Sequence, residues 1–74
     1  MVDFDWVDRN EFSLIIHDLI LEIEKCGISQ TNIAIMLEVS DRTIRYWYNG
    51  GSLPNGLQFF NLYSLYKKVI NKQI

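Results

Sequence analysis

The chain has 74 residues, of which 49% are hydrophobic, and a formal net charge of −2. This length predicts a single domain over residues 1–74, and the apolar content excludes a disordered tail. One cysteine and one histidine exclude an intrachain disulfide and a structural zinc site, so we expect no metal, no cofactor and a reducing, cytoplasmic location. The start of the chain has no basic residues and no apolar run is long enough to cross a bilayer, so neither a signal peptide nor a membrane span is expected.

Charge is divided unevenly along the chain. Residues 1–41 hold all nine acids and two bases, a balance of −7, whereas residues 42–74 hold five bases and no acid. Halves this different suggest one face directed at an anionic partner. An ordinary solvated surface would explain the same charges equally well.

The first predicted helix covers about residues 9–26 and follows an acidic, aromatic leading arm at 1–7. Asp8 and Glu11 have the spacing of a capping box, Val7 and Phe12 that of a hydrophobic staple, and Gly27 supplies the stop. Its apolar residues fall at helical spacing and predict one buried stripe of Phe12, Ile15, Ile16, Leu19, Ile20 and Ile23.

Two short helices are predicted next, at about residues 30–37 and 41–48. Ser29 is placed to cap the first, with Ile28 and Ile33 as its hydrophobic staple. Ser40 is placed to cap the second, with Val39 and Ile44 as the corresponding staple. The second helix ends at Asn49-Gly50-Gly51.

The fourth predicted helix covers about residues 56–71, after Pro54 and a cap pair formed by Asn55 and Gln58. We expect it to bury Phe59, Leu62, Tyr63, Tyr66, Val69 and Ile70. The predicted fold class is all-α: a compact four-helix domain that contains a helix-turn-helix.

The helix-turn-helix prediction comes from residues 30–49. Ala34 is small enough for close helix packing, Glu38-Val39-Ser40 forms the short turn, and Ile44 and Trp47 point inward together. The outer face of the second helix then carries Arg42, Arg45, Tyr46 and Asn49. A single exposed helix of this kind fits the DNA major groove.

The same segment resembles the helix-turn-helix of the lambda-repressor/Cro-like family. The shared pattern is Gly27-x-Ser29-Gln30, Ala34, Val39-Ser40, Trp47-x-Asn49-Gly50 and a later Pro54, and the resemblance covers about residues 27–70. Gly27-Ile28-Ser29-Gln30, Ser40-Asp41-Arg42 and Arg45-Tyr46 are also similar to small phage anti-CRISPR-associated regulators. The family implies a cytoplasmic, sequence-specific transcriptional regulator in a bacterial cell or a phage-infected host. Its partner would be double-stranded DNA, an inverted-repeat operator bound by a homodimeric repressor.

The resemblance, together with the outer face of the second helix, assigns contacts to nine residues. Base contacts are expected from Asp41, Arg42, Arg45 and Tyr46, and phosphate contacts from Gln30, Asn32, Ser40, Thr43 and Asn49. An arginine bonds guanine O6 and N7 together, which contributes about 1–3 kcal/mol of discrimination. Asp41 is able to accept from a cytosine amino group, but it also suits a role in orienting Arg42 or Arg45 or in favouring the helix N-terminus.

Glu38 departs from the family pattern, which usually has glycine there because the turn often needs a positive φ. A glutamate in that conformation costs on the order of 1 kcal/mol. The sequence therefore leaves open whether the turn keeps this conformation or is built differently.

Dimerisation is expected because one helix contacts too few base pairs to be selective, and because helices 1 and 4 have apolar residues beyond one stripe. These are Leu14, Leu21, Phe60 and Leu65, and Leu14 and Leu21 have the spacing of a helical seam. Thickening of the core or an unrelated contact would explain them equally well.

The alternative function is a protein-interaction module, with Phe4, Trp6 and the neighbouring acids of the leading arm as a docking segment. No enzyme is predicted, since no acid or oxyanion donor is placed to make a catalytic set with His17 and Ser13. We expect His17 at the surface or the core edge, Cys26 half-buried, and no pocket for a small-molecule effector.

Overall fold

The computed structural model describes residues 9–72. Within them the chain forms four α-helices and no strand: α1 (Arg9–Lys25), α2 (Gln30–Leu37), α3 (Asp41–Asn49) and α4 (Gly56–Lys72). Every helix begins and ends within one residue of its predicted bounds, which confirms the all-α, four-helix prediction. The leading arm and the predicted cap and staple residues Val7 and Asp8 lie outside the described residues.

The predicted caps begin α2, α3 and α4. Ser29 and Ser40 have extended backbones, and their hydroxyl oxygens accept from the third residue on, at 3.2 and 3.1 Å. Asn55 and Gln58 form the reciprocal capping box, with hydrogen bonds of 2.8 and 2.9 Å. These caps satisfy amide groups that a helix start leaves without partners, so the sequence determines each start locally.

The turn between α2 and α3 keeps the left-handed conformation in spite of its glutamate. Glu38 has φ 58° and ψ 42°. Its N–H donates to the carbonyl of Ile35 at 3.2 Å, and the N–H of Val39 donates to that of Ala34 at 3.0 Å. This pair of bonds is the helix-ending motif that normally contains glycine. The chain therefore makes the same turn with a strained residue.

The core lies where the four helices meet. Its fully buried side chains come from every helix: Ile16, Ile20 and Ile23 of α1, Ile33 of α2, Ile44 of α3 and Leu62 of α4. Ala34 and Trp47 are buried beside them. α1 packs against α3 and α4, and α2 packs mainly against α3. α3 is thus held between the first two helices.

Two residues predicted in the core are exposed, and a third, Ile70, is half-buried outside it. Ile15 is 48% exposed and Tyr63 is 43% exposed. Each lies one helical step, about 100°, from a fully buried neighbour (Ile16 and Leu62), and the other helices cover only the central part of each stripe. Tyr63 instead belongs to a row of rings with Phe59 and Tyr66, whose centroids are 6.2 and 6.1 Å from its own.

In the described part of the chain, no helix is long and apolar enough to cross a membrane.

Candidate functional site

The candidate site is the side of α3 that faces away from the core. Ile44 and Trp47 are buried. Five residues of the other side are exposed: Asp41, Arg42, Arg45, Tyr46 and Asn49. The helical spacing predicted this division, because a short helix with two buried positions presents the opposite positions to solvent.

α1 fixes the C-terminal end of α3. The Nδ1–H of His17 donates to the carbonyl oxygen of Tyr48 at 2.9 Å, and the two rings lie 4.1 Å apart, centre to centre. Gly50 ends α3 with φ 84°. A side-chain carbon at Gly50 would lie only 2.9 Å from the hydroxyl oxygen of Ser13. Ser13 and His17 therefore form the surface of α1 on which α3 ends.

The sequence did not predict that Ser13 and His17 contact the end of α3. The i, i+4 spacing of Ser13 and His17 was visible, and it places both residues on one side of α1. The half-buried state of His17 agrees with a residue at the core edge. Its partner is a backbone carbonyl 31 residues away, which no local pattern indicates.

Hydroxyl groups organise the N-terminal end of α3. The hydroxyl oxygen of Ser40 accepts from the N–H of Thr43, and the two hydroxyls lie 2.8 Å apart. The hydroxyl of Thr31, on α2, donates to Oδ2 of Asp41 at 3.3 Å. The predicted phosphate-contact residues Ser40 and Thr43 are thus paired with each other, and Asp41 is tied to the preceding helix.

Two further predicted contact residues lie on α2. Gln30 is half-buried, and its side-chain N–H donates to Oε1 of Glu24 on α1 at 3.2 Å. Asn32 is exposed, and its backbone N–H belongs to the cap of α2. The amide nitrogen of Gln30 therefore links α2 to α1, whereas Asn32 is exposed to solvent.

The two arginines of the site have no acidic partner among residues 9–72. The salt bridge in this part of the chain joins Lys25 and Glu22 on α1, far along the sequence from α3. Arg42 and Arg45 are both exposed. Their guanidinium groups are consequently available to an external acceptor such as a carboxylate, a phosphate or a base edge.

Two open grooves were not predicted from the sequence. One, of about 380 Å³, lies between Phe12 of α1, Leu53 and Pro54 of the α3–α4 loop, and Phe59 of α4. The other, of about 400 Å³, lies between the end of α2 and α4, with Met36 and Leu65 in its lining. Both grooves depend on how distant segments pack, so no local motif predicts them.

The described residues contain no cluster of three or more potential metal ligands.

No family model, curated protein or solved structure matches the chain. The similarity to lambda-repressor/Cro-like proteins therefore stays a prediction from the residues of the motif.

Proposed function

We propose that this chain is a sequence-specific DNA-binding transcriptional regulator, a dimeric repressor acting at a phage or bacterial promoter. In this proposal α2, the turn at 38–40 and α3 form a helix-turn-helix, and α3 enters the major groove. The observation that carries the proposal is the exposure of Arg42 and Arg45, without acidic partners among the described residues, on a helix whose other side is buried.

The dimensions of the helix suit this role. An α-helix with its side chains is about 10–12 Å across, and the major groove is about 12 Å wide. Arg42 and Arg45 are three residues apart and therefore point the same way from α3. Tyr46, which is 49% exposed, lies beside them and adds an aromatic ring to the base-contacting face.

Phosphate contacts would flank this face. Asn49 lies at the end of α3 and Asn32 near the start of α2, and both side chains are exposed. The hydroxyls of Ser40 and Thr43 lie at the start of α3, where the helix dipole favours an anion. Gln30 supports the same surface by holding α2 on α1, because its amide nitrogen is bonded to Glu24.

A homodimer would let two copies of α3 contact half-sites about 34 Å apart. Of the four surplus apolar residues, Leu14 and Phe60 are each 63% exposed, whereas Leu65 packs against the core and Leu21 is half-buried. Leu14 and Phe60 are therefore the residues of this set that a second copy would cover.

Exposed apolar residues on α4 favour the alternative function, a protein-interaction module that does not bind DNA. Leu57 and Phe60 are one helical turn apart and are 71% and 63% exposed. Apolar side chains at this spacing suit a protein partner. The predicted docking residues of the leading arm lie outside the described residues.

DNA binding by matched arginine variants tests the proposal. Duplexes from the region upstream of the gene would be titrated with the protein, with fluorescence anisotropy as the readout at several salt concentrations. We expect Arg42→Ala and Arg45→Ala each to weaken specific binding by about 5- to 150-fold, the equivalent of about 1–3 kcal/mol. Arg9→Ala is the control, because Arg9 is an exposed arginine on α1.

The expected complex contains two chains per duplex, and the affinity of the wild type falls as salt rises. The two α3 variants should retain the helical circular dichroism of the wild type. Absence of salt-dependent binding, or an equal effect of all three substitutions, would count against the regulator and favour the interaction module.

A further inference from the structure

An acidic side chain lies on the same exposed face as the two arginines and is held there by the preceding helix. Asp41 is the first residue of α3, and its Oδ2 accepts from the hydroxyl of Thr31 on α2 at 3.3 Å. Neither arginine of α3 forms an ion pair with it in the described part of the chain. The hydrogen bond therefore orients Asp41 from α2 and not from its own helix.

Among the described side chains, Thr31 is the one that bonds to Asp41. The neighbouring polar groups have other partners. The hydroxyls of Ser40 and Thr43 lie 2.8 Å from each other. The amide nitrogen of Gln30 is bonded to Glu24 at 3.2 Å. The second carboxylate oxygen of Asp41, Oδ1, accepts no hydrogen bond from residues 9–72, and Asp41 is exposed, as are both arginines.

We infer that Thr31 is a positioning residue that directs the free oxygen of Asp41 at a base edge, and that Asp41 selects cytosine there. This inference rests on the proposed DNA-binding function and specifies one position of its site. An ionised carboxylate only accepts hydrogen bonds. In the major groove guanine offers acceptors, thymine offers an acceptor and a methyl group, and cytosine offers the N4 amino donor.

Adenine is the other base with a major-groove donor, and its geometry disfavours a carboxylate. The N6 amino group of adenine lies between two acceptors, its own N7 and the O4 of the paired thymine, whereas the N4 amino group of cytosine has an acceptor on one side only, the O6 of the paired guanine. A carboxylate at adenine N6 would therefore face the N7 lone pair. Cytosine is the base whose edge matches Asp41 without this repulsion.

An acid in a DNA-binding face serves selectivity and not affinity. Phosphates repel Asp41 on every sequence, and only a donor opposite the carboxylate compensates for this repulsion and for the loss of its water. The bond from Thr31 limits the rotation of the carboxylate before binding, so less conformational freedom is lost in the complex. Removal of the acid should then strengthen binding to unrelated DNA while it reduces discrimination.

Selection from a randomised duplex library, followed by affinity measurements on the selected site, tests both residues. The wild type should select cytosine at one position of each half-site and prefer it by about 5- to 150-fold. Asp41→Asn should shift that position towards adenine, because an amide bonds adenine N6 and N7 together. It should also bind unrelated DNA more tightly than the wild type does.

Thr31→Val and Thr31→Ser form the matched pair for the positioning role. Valine keeps the branched shape without the hydroxyl, and serine keeps the hydroxyl without the methyl group. We expect Thr31→Val to reduce the cytosine preference at that position, with base preferences elsewhere in the site unchanged, and Thr31→Ser to retain it. Thermal unfolding of both variants separates this effect from a loss of stability.

The outcomes distinguish the inference from the proposed function. If the wild type selects a site but Asp41→Asn weakens all sequences equally, the role of Asp41 is refuted and the DNA-binding function stands. If Thr31→Val keeps the full cytosine preference, Thr31 is not a positioning residue. If the wild type selects no sequence and shows no salt-dependent binding, the proposed function fails together with the inference.

Discussion

Substitution of Glu38 by glycine should stabilise the protein, because this residue holds the turn between α2 and α3 in a left-handed conformation at φ 58°. That conformation costs an L-residue with a side chain about 1–2 kcal/mol. Glycine adopts it without this strain, but loses about 0.4–1 kcal/mol more through the greater freedom of its unfolded chain. The net gain in the free energy of unfolding from the relief of strain is about 1 kcal/mol, which raises the Tm by about 4–8 °C in a domain of this size.

Glu38→Gln is the control for charge. Glu38 lies at the C-terminus of α2, where a negative charge opposes the helix dipole, and glutamine removes the charge but keeps the strained side chain. We expect a gain of a few tenths of a kcal/mol for glutamine and about 1 kcal/mol more for glycine. Urea unfolding followed by far-UV circular dichroism measures both variants. Equal stability of the two would refute strain at this residue.

Two further pairs of variants test the packing that positions α3. Gly50→Ala and Gly27→Ala both place alanine at a positive φ, 84° and 98°, but only the former brings the new carbon within 2.9 Å of the Ser13 hydroxyl. Gly27→Ala should lose roughly 1–2 kcal/mol of stability through backbone strain. Gly50→Ala should lose at least as much, because the new carbon also displaces the Ser13 hydroxyl, and Ser13→Ala should recover any excess. In denaturant unfolding, an excess loss for Gly50→Ala that Ser13→Ala does not reduce would contradict the close approach of Ser13 to Gly50. Ile16→Ala should cost about 2–5 kcal/mol because its side chain is fully buried, and Ile15→Ala about 0.5 kcal/mol or less because half of it faces solvent. A loss for Ile15→Ala comparable to that of Ile16→Ala, in the same assay, would show that Ile15 is part of the core.

Local sequence signals predicted the helices well because hydrogen bonds between residues close in sequence determine where each helix begins and ends. Ser29, Ser40 and Asn55 cap the helices that follow them, and the bonds that do so span three residues. The burial of Ile44 and Trp47, and with it the exposed face of α3, follows from helical spacing alone. The capping bonds and the buried side of α3 can both be predicted from a few consecutive residues.

Local sequence signals did not predict contacts between residues far apart in the sequence. The bond from His17 to Tyr48 crosses 31 residues, and that from Thr31 to Asp41 crosses ten. Helical periodicity predicts Ile15 in the core because it gives the direction of the apolar stripe but not its width. The sequence alone does not decide the conformation of Glu38, because residue propensity and turn geometry favour different outcomes. The structure resolves it in favour of the turn, whose two backbone hydrogen bonds outweigh the strain.

The acidic net charge of the chain is compatible with a DNA-binding face because three of the four acids of α1 lie away from the end of α3. Glu11, Asp18 and Glu22 recur at i, i+7 and i+11 and therefore share one side of the helix. That side is about 140° around α1 from Ser13 and His17, the residues that contact the end of α3. Charges separated by more than about 8 Å across solvent are largely screened at physiological salt, and the domain measures 34 × 28 × 18 Å. The three acids of that stripe therefore do little to weaken the field of the α3 arginines, whereas Glu24, the fourth acid of α1, lies on the side of Ser13 and His17 and accepts from Gln30. The net charge is therefore a poor guide to the charge around α3, and the charge around α3 would determine whether DNA binds.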